Sequence, residues 1–295
     1  MQSIFHLLHM NLKQAILETL AYSDVFDHPL TLGELHKFLV ASALQDEIGK
    51  CAAGMDAVAC KDGYYFLAHR TEILDIRQTR EVHSQKAFKR AVFYGRILGR
   101  LPFIRMAALT GSLAMLNLSK NSDMDYLIVA RHGRVWTARA FALLLDRIAR
   151  LFGDVICPNV IVSERTLEWN TRNIYAAREF AQMIPISGMD VYRRLIEVNA
   201  WVTDFLPNAF PSVDRFETGS NPNRRNLFEF FFNGKLGDRF EQWEMDRKIA
   251  RFKKQQGYGA ETNFSADICQ GNFDHHGLWA LKALEDRLIG LQVEK

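Results

Sequence analysis

The sequence predicts an α+β protein: a mixed sheet preceded by a small helical unit and followed by a helical region. Three observations predict this class. Helical periodicities in the first 60 residues give way to a hairpin signal at Asp62-Gly63. Between residues 104 and 163, apolar runs of strand length alternate with one long amphipathic helix. From about residue 168 onward, apolar residues recur at helical spacing.

With 295 residues, the chain exceeds one average domain, so two or three compact units are expected. Hydrophobic residues make up 48% and charged residues 24%, a balance that favours a packed core over disorder. The net charge of +3 permits an anionic ligand without amounting to a nucleic-acid signature. Cys51, Cys60, Cys157 and Cys269 show neither CxxC pairing nor zinc-finger spacing, which fits a reducing, cytoplasmic setting. "MQSIFHLLHMNLKQ" lacks the basic start, long apolar stretch and cleavage site of a secretion signal. "VWTARAFALLLDRIARLFG" is interrupted by Arg139, Asp146, Arg147 and Arg150, so it reads as an amphipathic packed helix. No membrane contact is expected.

Residues 11 to 22 have helical periodicity, and Pro29 breaks the chain before a second helix. Thr31 with Glu34 three positions later forms a capping-box signature. A third helix spans roughly residues 44 to 58, and Asp62-Gly63 is a favoured tight-turn pair. Three short helices and a hairpin give a winged-helix-like module over residues 1–70. Residues 71–98 form a connecting helix that ends before Pro102. The core, residues 99–167, reads strand ("IRMAALT"), helical turn ("SLAMLNL"), strand ("DYLIVA"), helix and strand ("VICPNVIVS"). Residues 168–295 form a helical C-terminal region, with candidate helices at 171–184, 190–204, 226–254 and 276–292. The stretch from Pro207 to Asn223 is a loop.

Chemistry concentrates in "LTGSLAMLNLSKNSDMDYLIVA", residues 109 to 130. Strand side chains alternate, so Asp123 and Asp125 project to one face, about 7 Å apart along the chain. Two like charges there resist burial unless a cation joins them. Magnesium sits between one or two carboxylates and the phosphates of a nucleotide, which suits this pair. Gly111 permits close backbone approach to a ligand, and Ser112 opens a helical turn whose free N–H groups favour phosphate.

These residues resemble the nucleotidyltransferase superfamily, which includes DNA polymerase beta and the minimal nucleotidyltransferases. Its signature is Gly-Ser, about ten residues, then Asp-x-Asp running into an apolar strand. Gly111, Ser112, Asp123 and Asp125 occupy those positions, with Ser122 directly before the first Asp. "YSDVFDHPLTLGEL" and "NIYAAREFAQMIP" also resemble stretches of uncharacterised bacterial nucleotidyltransferase-like proteins. The resemblance implies a nucleotidyltransferase-like mixed-sheet core and a nucleotide-binding transferase. It would move a nucleoside monophosphate from a nucleoside triphosphate to an acceptor of unknown identity. It also implies Mg2+ or Mn2+ at a two-metal site, with Asp123 and Asp125 as catalytic metal ligands and Gly111, Ser112 and Ser122 as nucleotide-binding residues. Two positions depart from the pattern. Leu116 stands where many relatives carry a second glycine, and Asn159 stands near the place of a third carboxylate, a third metal-site position. An amide can ligate metal but cannot accept a proton. Asp154 and Glu164, flanking that strand, are the carboxylates that could substitute.

Other readings of these residues are weaker. Leu127 and Arg134 stand where an EF-hand needs oxygen ligands. A glycosyltransferase would place a nucleotide-binding α/β unit upstream, where this chain has a helical module. "DHH" at 274 to 276 opens a helix, so capping is its expected role. "RKIARFKKQQ" is read as a solvated helix face, and "NLFEFFFNGK" as core or subunit contact. The N-terminal module is a candidate for DNA or protein contact, although its third helix carries few basic residues. The alternative function is a non-enzymatic nucleotide-binding regulator using that module.

Overall fold

The computed structural model describes residues 11–119, 123–210 and 227–293. Helix α1 (Leu12–Asp24) starts at Asn11, whose side chain accepts from the Lys13 N–H at 3.2 Å. Strand β1 (Leu30–Thr31) leads into α2 (Leu32–Phe38), and both halves of the Thr31/Glu34 capping box form. Helix α3 (Gln45–Ala53) is followed by β2 (Val58–Lys61) and β3 (Tyr64–Leu67). The turn between these strands places Asp62 at φ +52° and Gly63 at φ +81°. Two successive left-handed residues match the right-handed twist of a hairpin. The three strands form an antiparallel sheet in the order β1-β3-β2.

Helix α4 (Ile73–Leu98) crosses to a six-stranded mixed sheet. Its members are β4 (Ile104–Leu109), β5 (Met124–Ala130), β6 (Ile156–Ser163), β7 (Ile184–Ser187), β8 (Thr262–Phe264) and β9 (Ile268–Gly271). The order is β7-β4-β5-β6-β9-β8, with β5 and β6 parallel and the other pairs antiparallel. The short α5 (Gly111–Ala114) follows β4, and α6 (Val135–Arg150) crosses from β5 to β6. The remaining helices are α7 (Ile174–Gln182), α8 (Met189–Val198), α9 (Val202–Phe205), α10 (Leu227–Phe232), α11 (Lys235–Phe252) and α12 (His276–Val293).

The region after residue 168 is therefore not purely helical: β7, β8 and β9 join the sheet at or near its edges. These strands are three or four residues long, too short for periodicity to register. Pro185 within β7 is tolerated because an edge strand can forgo one ladder donor.

Both faces of the central sheet are covered, which is why β5 reads as a continuous apolar run instead of an alternation. Tyr126, Ile128 and Ala107 pack with Ala87, Ala91 and Leu98 of α4 and with Ala138 and Ala142 of α6. Leu127, Val129 and Met106 pack with Ala177 and Phe180 of α7 and Leu195 of α8. The latter cluster continues without a break into Ile16, Leu35 and Phe38 of the N-terminal unit.

Two helices are capped by distant carboxylates. At the start of α6 no side chain of its own caps the helix, and Glu241 of α11 accepts from the N–H groups of Trp136 and Thr137 at 2.8 and 2.7 Å. At the start of α12, Glu261 accepts from the Gly277 and Leu278 N–H groups, both at 3.1 Å. The Asp-His-His stretch does open a helix, but the cap comes from Glu261 and from Asn272, which accepts from the His276 N–H. In the basic run, Arg247 pairs with Glu244 while Ile249 and Phe252 pack inward. Phe232 of the aromatic stretch meets Phe141 and Phe240 edge-on. Among the described residues, no helix is long and apolar enough to cross a membrane.

Helix α12 returns to the N-terminal unit. The buried carboxylate of Asp24 takes Arg287 at 2.6 Å and Arg70 at 3.3 Å, and Trp279 stands edge-on to Phe26. Asp24→Ala leaves both partly exposed guanidinium groups without their shared acceptor. A loss of about 2–3 kcal/mol is expected, the scale of hydrogen bonds to charged groups, measurable as a lower midpoint in urea unfolding.

Candidate functional site

The candidate side chains gather where β4 ends and β5 begins. The Thr110 N–H donates to the Asp125 carbonyl at 3.0 Å, fixing the end of one strand against the start of the other. Asp123 directly precedes β5, and Asp125 lies on the face that continues through Leu127 and Val129 towards α7. Ser122 lies outside the described residues.

The neighbour of Asp125 across the sheet is Cys157. The β5–β6 ladder then slips: the next pair is Leu127 with Val160, so two steps on β5 match three on β6. Pro158 occupies the slip, where it has no N–H to contribute, and the bulge re-aims the strand. Asn159 lies within this irregular stretch, half-buried and not opposite Asp125. Asp123, Asp125 and Cys157, all half-buried, each offer a ligand atom within 4.8 Å of the others. The Cys157 thiol lies beside both carboxylates, and burial together with their charges pushes its pKa upward.

Gly111 explains how Asp125 fits so closely. Its φ is +65°, and a Cβ built there would lie 2.5 Å from Asp125 Oδ2. The glycine thus makes room for the carboxylate itself. Ser112, the next residue, is exposed, and its carbonyl accepts from the Met115 and Asn117 N–H groups. Leu116 has φ +53°, a left-handed conformation that glycine would adopt freely.

The carboxylates flanking β6 do not join this cluster. Asp154 is buried and engaged by Arg90 at 2.8 Å and the Tyr94 hydroxyl at 3.0 Å, on the α4 side. Glu164 follows the far end of β6, beyond the Ala130–Ser163 pair, and accepts from the His132 N–H. The carboxylate that does approach is Glu179 of α7, which lies beside the Gly111 N–H and accepts from the Gln182 amide at 2.6 Å. It stands in "NIYAAREFAQMIP", where its helical spacing gives no sign that it points back at the sheet.

Electrostatically the site is negative. Burial, then the charge of Asp123, raises the Asp125 carboxyl to about 7, and Glu179 adds to the effect. Burial likewise raises Glu179 to about 7 against the pull of its hydrogen bonds and of Arg178. Arg150, whose field reaches Asp123, is paired with Asp146 at 2.8 Å. Among the described residues no ion pair neutralises Asp123 or Asp125. The arrangement can hold a divalent cation, because two carboxylate oxygens and a sulfur converge where positive charge is lacking.

Both raised carboxyls are expected to ionise in the unfolded chain near pH 4 but in the folded chain only near 7. Stability of the metal-free protein should therefore fall between those values, since the unfolded chain releases the protons first. Asp125→Asn and Glu179→Gln should each raise the melting temperature at pH 8 in the presence of a chelator, with the gain vanishing near pH 4. Gly111→Ala should cost at least about 1–2 kcal/mol from its backbone conformation alone, read by denaturant unfolding. Comparison with protein-family models, curated proteins and solved structures finds no match to this chain.

Proposed function

We propose that the protein is a metal-dependent nucleotidyltransferase, transferring a nucleoside monophosphate from a nucleoside triphosphate to an acceptor hydroxyl. The observation that carries this reading is the meeting of Asp123 and Asp125, with Asp125 packed against Gly111, where β4 ends and β5 begins. The two carboxylates suit a divalent cation: lacking a described ion-pair partner, they leave room for phosphate oxygens and water. A bound divalent ion would supply charge neutralisation of the triphosphate and acidify the attacking hydroxyl.

The protein's own groups divide the remaining work. Asp123 and Asp125 hold the cation, and the Gly111-Ser112 turn lies where the phosphate chain would run. Glu179 receives the proton of the acceptor hydroxyl, a role supported by its position against Gly111 and by a proton affinity raised to about 7. This puts the base on a helix packed over the sheet instead of on the strand that carries Asn159.

The N-terminal unit supports a winged-helix-like reading through its order of helix, strand, helix, helix and hairpin. Lys50 is the one Lys or Arg on α3, against Asp46 and Glu47, which favours contact with protein over DNA phosphates. That module also favours the second reading, a nucleotide-binding regulator without turnover.

Pyrophosphate release from a panel of nucleoside triphosphates, with Mg2+ or Mn2+ and candidate acceptors, tests the proposal. Asp123→Asn and Asp125→Asn should abolish release while far-ultraviolet circular dichroism stays unchanged. Glu179→Gln should lower the rate by about 100-fold or more, as for loss of a general base, with nucleotide affinity preserved. Nucleotide binding in the wild type without pyrophosphate release would favour the regulator.

A further inference from the structure

We infer that Cys157 is a third protein ligand to the cation, giving the site two oxygens and one sulfur and a preference for Zn2+ or Co2+ over Mg2+. This rests on the reading that Asp123 and Asp125 bind a divalent cation. Two separate features of the molecule lead to the sulfur.

The first is placement. The β5–β6 register, continuous from Met124–Ile156, sets Cys157 opposite Asp125 and brings its sulfur within 4.8 Å of an oxygen on each aspartate. Zinc bonds of about 2.0–2.3 Å set neighbouring ligand atoms roughly 3.5 Å apart, so small side-chain rotations close the set. The second is charge. Asp123 and Glu179, which act on Asp125, are both negative, and Arg150 is engaged by Asp146. The thiol lies beside both aspartates, and a cation that binds there displaces its proton, which leaves to solvent on coordination.

Ligand chemistry then sets the metal. Oxygen-only sites suit Mg2+, whereas a thiolate shifts preference towards softer ions, and the affinity order for one site places Zn2+ and Co2+ above Mn2+. Three protein ligands with a remaining open position are also the arrangement of catalytic zinc sites. A phosphate oxygen or water can take that position.

The test uses the full chain, stripped with a chelator and titrated with Co2+. Thiolate ligation produces a sulfur-to-cobalt charge-transfer absorption in the near ultraviolet, which carboxylates alone do not give. The band is expected in the wild type and absent in Cys157→Ser. Losing even an outer partner of a metal ligand costs about 10–100-fold in affinity, so Cys157→Ser should weaken Zn2+ binding by at least about tenfold. Mg2+ binding should change much less. Cys157→Asp, with three oxygen donors, should shift preference back to Mg2+. Co2+ binding without the band, or a band that survives in Cys157→Ser, overturns the sulfur ligand while leaving the aspartate site standing. A wild type that binds none of these metals overturns both.

Discussion

Negative charge held together at the mouth of β5 is the constraint around which the rest of the site is built. Asp125 is half-buried beside Asp123 and under the field of Glu179, in a sheet whose two faces are closed by helices. Such a group keeps its place only if the backbone makes room and nearby donors share the load. Gly111 makes the room, since any Cβ there would meet Asp125 Oδ2. The Cys157 thiol lies beside it and favours its ionised form. Neither outweighs burial and the charge of Asp123, which raise the carboxyl to about 7.

Helix α7 joins this site to the N-terminal unit through adjacent residues. Glu179 lies beside the Gly111 N–H, while Arg178 donates to the Ser23 hydroxyl at 2.5 Å and lies over the rings of Tyr22 and Phe38. Burial lowers Arg178 to about 10, so it remains charged at neutral pH. Its guanidinium is held by aromatic faces instead of a carboxylate, an attraction that strengthens as water is removed. A shift of the N-terminal unit would pull on the helix that carries Glu179. The unit is thus part of the support of the site, because one apolar cluster runs from Ile16 through Met106 to Leu195.

Distant carboxylates recur as organising groups. Glu241 caps α6, Glu261 caps α12, and Asp24 ties α12 to α1 through Arg287. The C-terminal segments therefore complete the sheet and its helices. The β8–β9 hairpin extends the sheet beyond β6, and α11 lies along α6 with Glu241 at its N-terminus.

Local chemistry made much of this legible from sequence alone. The Thr31/Glu34 box, the Asp62-Gly63 turn and the long α4 depend on neighbours in the chain, and each lies close to where its residues placed it. Strand alternation alone put Asp123 and Asp125 on one face. What depended on tertiary structure was invisible for a physical reason: it is set by pairing across long sequence separations. Strands β7 to β9 are too short to show a period and exist because the sheet offers them edges. The neighbour of Asp125 is Cys157 because of the register in which β6 pairs with β5, and register decides which side chains share a site. Asp154 and Glu164 flank the right strand but are drawn to other partners, while Glu179 reaches the site only because α7 packs over the sheet. The sequence determined where the negative charges begin, and the packing of β6 and α7 decided which groups surround them.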